Sequence, residues 1–209
     1  KMLLGTENRF ALRSFCGDKD IFSGHVLGGI DSQRLKDGMV RGAYTKSELI
    51  QLLERADFLQ YRFYSVMPCL SRPQLILSEK YLPNEPLEVR IFPQYNHPET
   101  VFLMEEKLYR PLMDNNMFHQ MANAFLIECA IDDNLSDIDQ ITVQGDRSRE
   151  EAMATVIRRG NSVVKKALYP EGRWKLQRLM ENDTYLRRHG IPVIDAHIEK
   201  DAYIMPYIE

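Results

Sequence analysis

Two adjacent lysines, Lys165 and Lys166, close a β-branched run in the stretch GNSVVKKALYPEGRW, residues 160–174. An ammonium at that place can hold a phosphate, or it can simply solubilise the end of a strand. Strand alternation leaves two registers, Lys165 facing inward with Val163 or Lys166 with Val164, and the first is preferred. A second constellation lies upstream in LILSEKYL and LEVRIF, where Glu79, Glu88 and Arg90 fall on one side of two neighbouring extended segments. Charges within a sheet cost desolvation unless they meet a ligand or one another. An antiparallel sheet with one wet face explains the same alternation. The histidines, at 25, 97, 119, 189 and 197, share no HxxxH or HExxH spacing, so surface or core roles lead over metal ligation. Cys16, Cys69 and Cys129 form no CxxC pair, and neither a GxSxG nor a Walker sequence occurs.

The elements that would position these groups read as follows. Thr45 caps a helix over KSELIQLLERADF, with Glu48 three residues on. Extended segments are expected at 58–67, 74–82, 87–92 and 100–109, with another at 10–15. The spacing by four of Met113, Met117, Met121, Phe125 and Cys129 predicts a long helix through DNNMFHQMANAFLIECAI. The acidic stretch DDNLSDIDQ, 132–140, marks a boundary between a region 1–135 and a region 140–209. Beyond it come strands at 141–144, 154–159 and 162–168, a helix at 174–189, and strands in PVIDAHI and YIMPYI. The expected fold class is α+β, a mixed and largely antiparallel sheet with helices followed by a five-stranded sheet with one main helix.

Three strands, one helix and two strands, together with VVKK and LRRHGIPVIDAHIEKDAYIMPYIE, resemble the small lobe of protein kinases and aminoglycoside-phosphotransferase-like enzymes. The resemblance covers about 141–209 and implies a nucleotide site. In it Lys165, or Lys166 in the other register, holds the phosphates of ATP, and Glu181 orients that lysine. Met205 takes the gatekeeper place, and Pro206, Tyr207 and Ile208 form a hinge bordering adenine. The loop GDRSREEAM, with Gly145 alone, stands where a glycine-rich loop belongs. No HRD or DFG segment follows, so the magnesium ligands and the catalytic lobe implied by the resemblance lie outside this chain, which by itself is not expected to be catalytically competent. The Glu79, Glu88 and Arg90 pattern resembles, more distantly, the nucleotide-bordering strands of ATP-grasp enzymes.

Composition bounds the rest. The 209 residues include 44% apolar and 27% charged residues, as in an ordinary globular chain. A net charge of −3 provides no global attraction for nucleic acid or an anionic membrane. No run approaches the apolar length of a membrane span, and scattered unpaired cysteines suit a reducing, cytoplasmic setting. The chain opens on Lys1 and stops soon after an apolar run, which reads as a fragment cut at the hinge. The expected function is therefore part of an ATP-dependent phosphotransferase. The alternative is a non-enzymatic module that contacts a protein partner through the YRFY strand or the methionine-rich segment.

Overall fold

The computed structural model describes residues 1–30, 42–132 and 134–208. Residues 31–41, Asp133 and Glu209 lie outside them. The chain is α+β and divides into two compact units, Lys1–Ser136 and Asp137–Glu209. Among the described residues no helix is long and apolar enough to cross a membrane.

In the first unit four antiparallel strands are ordered β1 (Met2–Glu7), β4 (Ala124–Ala130), β2 (Gln60–Met67) and β3 (Leu75–Ser78). Strand β4 overturns the long helix expected at 113–129. The strand is central, paired with β1 at one edge and β2 at the other, and apart from Glu128 its residues are apolar on both sides. A short, fully buried apolar run cannot be told from a helix by periodicity. Upstream of it only two short helices form, α3 (Tyr109–Asp114) and α4 (Phe118–Met121). The segment 10–15, expected to be extended, contains the helix α1 (Leu12–Phe15).

LEVRIF is likewise no strand. Leu87–Val89 is a 3₁₀ helix in which the Arg90 and Ile91 amides bond the Leu87 carbonyl. Leu87 and Ile91, four apart, are buried, whereas Val89 is 66% exposed. In a strand those three side chains would share one face. The segment at 100–109 also lacks a strand and carries a 3₁₀ turn at Glu105–Lys107.

Helix α2 (Lys46–Arg55) begins as its sequence directs. The Thr45 hydroxyl accepts the Glu48 amide, and the Glu48 carboxylate accepts the Thr45 amide at 2.8 Å. The helix then buries Leu49 and Leu53 against a core that includes Phe63, Leu75, Phe118 and Phe125. Thr45→Ala is expected to cost about 1 kcal/mol, read as a lowered urea midpoint.

The second unit is an antiparallel sheet ordered β5 (Gln140–Val143), β6 (Met153–Arg158), β7 (Ser162–Ala167), β9 (Ala202–Pro206) and β8 (His197–Glu199). Helix α5 (Arg173–Arg188) lies on one face. Leu176 packs there with Tyr203 and Ala196, flanked by Met153, Leu179 and Met205. The helix stops at Gly190, whose φ of 73° lets the Ile191 amide return to the Leu186 carbonyl. PVIDAHI is extended only at its end, His197 and Ile198, the first two of the three residues of β8.

Candidate functional site

The site is built on β7. Register pairs Thr155, Lys165 and Tyr203 across three strands, and Ile157, Val163 and Met205 two residues along. Alternation puts all six on one face, and Tyr203 and Met205 identify it as the face covered by α5. Lys165 is therefore half-buried beside the helix, with Val163. Lys166, which pairs with Ala154 and Ala202, is on the opposite face and exposed.

Between sheet and helix lies a cavity of about 420 Å³, lined by Lys165, Thr155, Met153 and the first three turns of α5 as far as Asn182. That volume is within the range of small-molecule pockets. The loop between β5 and β6 contributes Gln144, Arg147 and Glu151. Of the four cations on its walls, Lys175 is paired, with Glu151 at 3.3 Å. Among the described residues Lys165, Arg147 and Arg178 have no ion pair. The lysine is thus held near a hydroxyl and a polar amide with no carboxylate to neutralise it.

Glu181 is not brought to Lys165. It is exposed and lines an adjoining depression with Asn182 and Arg188. Seven residues separate it from Trp174 at the cavity mouth, about 10 Å along the helix axis. The acid on the sheet side of α5 is Asp183, which accepts the Tyr203 hydroxyl at 2.5 Å. Burial, and then this carboxylate, push the Tyr203 phenol up to about 12. The pair ties the helix to β9.

The remaining sequence candidates are dispersed. Met205 ends in the apolar cluster under α5, away from the cations. Tyr207 lies past the strand, its amide on the Asn161 carbonyl, and Ile208 is largely exposed. Gly145 is in open space, where an added Cβ would meet only Val143 at 3.8 Å. The fold does not require a glycine there, and the β5–β6 loop instead turns the Arg147 side chain toward the cavity. Sequence reading missed Arg147, Trp174, Lys175 and Arg178. The spacing by three of Lys175 and Arg178, at the start of a helix that follows VVKK, was the available signal.

The first unit has a polar interior of a different kind. Glu105 is 0% exposed, and its Oε1 accepts the Asn123 amide at 2.8 Å and the Tyr109 hydroxyl at 3.1 Å. Burial pushes its carboxyl up to about 7, against these hydrogen bonds and the Arg13 charge. Asn123 also donates to the Pro68 carbonyl and accepts the Arg13 amide. Nearby, buried Asp18 accepts the amides of Asn96 and His97. The hollow beside Arg13 and Asp18 holds only about 40 Å³, room for water rather than substrate. This network pins loops to the sheet.

Glu79, Glu88 and Arg90 do not converge. Glu79 is paired with Lys46 and Arg90 with Glu85, while Glu88 is exposed on the 3₁₀ turn. Among the described residues no three His, Cys, Asp or Glu side chains gather as a metal site. Neither the models of known families, nor curated proteins, nor solved structures yield a match to the chain.

Proposed function

We propose that this chain is part of an ATP-dependent phosphotransferase, with residues 137–209 as its nucleotide-binding portion. The observation that carries the reading is Lys165, an unpaired and half-buried ammonium on the wall of a ligand-sized cavity between sheet and helix. In this reading Lys165 holds the phosphates, while Met205, Tyr207 and Ile208, which the resemblance puts at the purine, are not among the residues lining this cavity. Magnesium arrives with the nucleotide, because the described residues supply no cluster to hold it. The acceptor is a hydroxyl on a protein or small molecule, activated by residues outside this chain. Three buried, unpaired thiols agree with a reducing, cytoplasmic setting.

Calorimetric titration with ATP and magnesium tests the reading. Lys165→Ala is expected to weaken binding about tenfold or more, the loss of one charge-assisted contact, with Lys166→Ala within about twofold of wild type. Equal effects of the two variants, or no binding by wild type, would overturn it.

A second reading, a protein-interaction module, is supported by three consecutive exposed apolar side chains, Phe102, Leu103 and Met104. The surfaces first expected to serve it are largely spent on packing, since Phe63 and Tyr64 of the YRFY strand and Met113 are buried.

A further inference from the structure

We infer that the cavity grips a polyphosphate through a clamp of side chains, Arg147, Lys165, Lys175 and Arg178, and not through backbone amides of a glycine-rich loop. The inference deepens the nucleotide reading and rests on it for the organic part of the ligand. Three separate elements deliver these cations: the β5–β6 loop, strand β7, and the first two turns of α5. Against four cations the walls offer a single carboxylate, Glu151, in a chain whose net charge is −3. Gathering like charges in a concavity costs energy in the free protein and focuses a positive field where a ligand would sit. A monoanion neutralises one of the three surplus charges; a polyphosphate, with about three or more negative charges near neutral pH, can meet them all.

The geometry of the donors agrees. Guanidinium groups form paired bonds with phosphate oxygens, which an ammonium cannot, and Arg147 and Arg178 are both free of ion pairs among the described residues. Helix α5 is 16 residues long, and no side chain caps its N-terminus, so its positive end adds to the same field. The Lys175 ammonium, 5.6 Å from the Trp174 ring centre, is kept at the mouth by Glu151 and the indole.

Trp174 is the chain's single tryptophan, 45% exposed at this cavity, so its fluorescence reports occupancy directly. The test titrates sodium tripolyphosphate, ATP, adenosine and sodium sulfate at matched ionic strength, with calorimetry alongside. Tripolyphosphate and ATP are expected to bind, adenosine and sulfate to fail. Arg147→Ala and Arg178→Ala are each expected to weaken tripolyphosphate about tenfold. Arg188→Ala, which removes the same charge from the same helix outside the cavity, is expected to bind as wild type. The arginines are exposed, and circular dichroism checks that the variants fold.

Tripolyphosphate binding that is unchanged in Arg147→Ala and Arg178→Ala, or matched by sulfate, overturns the clamp. If ATP binding depends on Lys165 alone, the clamp falls and the nucleotide reading stands. If tripolyphosphate needs both arginines and ATP binds no better than it, the clamp stands and the adenine border falls.

Discussion

Raising the pH from about 5 to about 8 is expected to lower the melting temperature of the wild-type chain, and Glu105→Gln is expected to erase most of that decline. In the fold the Glu105 carboxyl titrates at about 7, against an ordinary value of 4.5. Below the lower value both states hold the proton and its contribution is fully present. Between the two values the unfolded chain releases the proton and the folded chain keeps it, so stability falls as pH rises, by about 1.4 kcal/mol per pH unit. The loss totals about 3 kcal/mol and levels off above the folded value. The groups facing the carboxyl are Asn123, Tyr109, Arg13 and Glu106, with Cys16 and Tyr95 behind them. Cys16 and Tyr95 are themselves pushed up, first by burial and then by Glu105, so neither competes for the proton in this window.

The amide of Glu105→Gln preserves the two contacts to Oε1 and leaves its own N–H groups where Oε2 has no partner. That costs about 1–3 kcal/mol at every pH and does not tilt the curve. Other groups set the background: His119, held below its ordinary value by burial, acts in the opposite direction, since the unfolded chain binds the proton more readily there. Glu7 is shifted upward by burial, whereas in Glu128 the effect of burial is outweighed by Lys1 and Ser136, and its carboxyl is lowered. The informative quantity is therefore the difference between the wild-type and Gln curves. Parallel curves would remove Glu105 as the source.

Phe125→Ala is expected to cost about 3–5 kcal/mol in urea unfolding, while Met117→Ala stays within about 0.5 kcal/mol. Phe125 is 1% exposed on β4, and its ring meets Phe63 edge-on with centroids 5.6 Å apart. Met117 is 47% exposed, just ahead of α4. A continuous helix through this segment would put both residues on one buried stripe and give both substitutions large effects. The ratio of the two losses thus separates strand from helix at β4. Comparable losses would return the segment to the helix.

What could be read in advance followed from where the pattern was unambiguous. The capping box at Thr45 and Glu48, the half-covered strands β6 and β7, and the amphipathic α5 each carry a local signature of one kind. Strand β4 carries none, because its residues other than Glu128 are apolar on both faces, and so show no period of two. LEVRIF misled because a residue pair four apart and a period of two both place Leu87 and Ile91 together. Only the exposure of Val89 decides between them. At the site, alternation put Lys165 and Lys166 on opposite faces and left two registers open; the packing of Tyr203 and Met205 under α5 decides for Lys165. Glu181 depended on a count along the helix, and the rotation of α5 presents Asn182 to the cavity instead. Arg147 and Arg178 line one cavity because the β5–β6 loop lies against the start of α5, a tertiary event without a local mark.

All three thiols, Cys16, Cys69 and Cys129, are shielded within residues 1–136, and the remainder of the chain has none. A sulfhydryl reagent added to the intact protein can therefore react only as fast as that portion transiently opens. The labelling rate becomes a clock for its breathing, silent about the portion that contains the cation-lined cavity. Cys129, in the centre of the four-stranded sheet, would be the slowest hand of that clock.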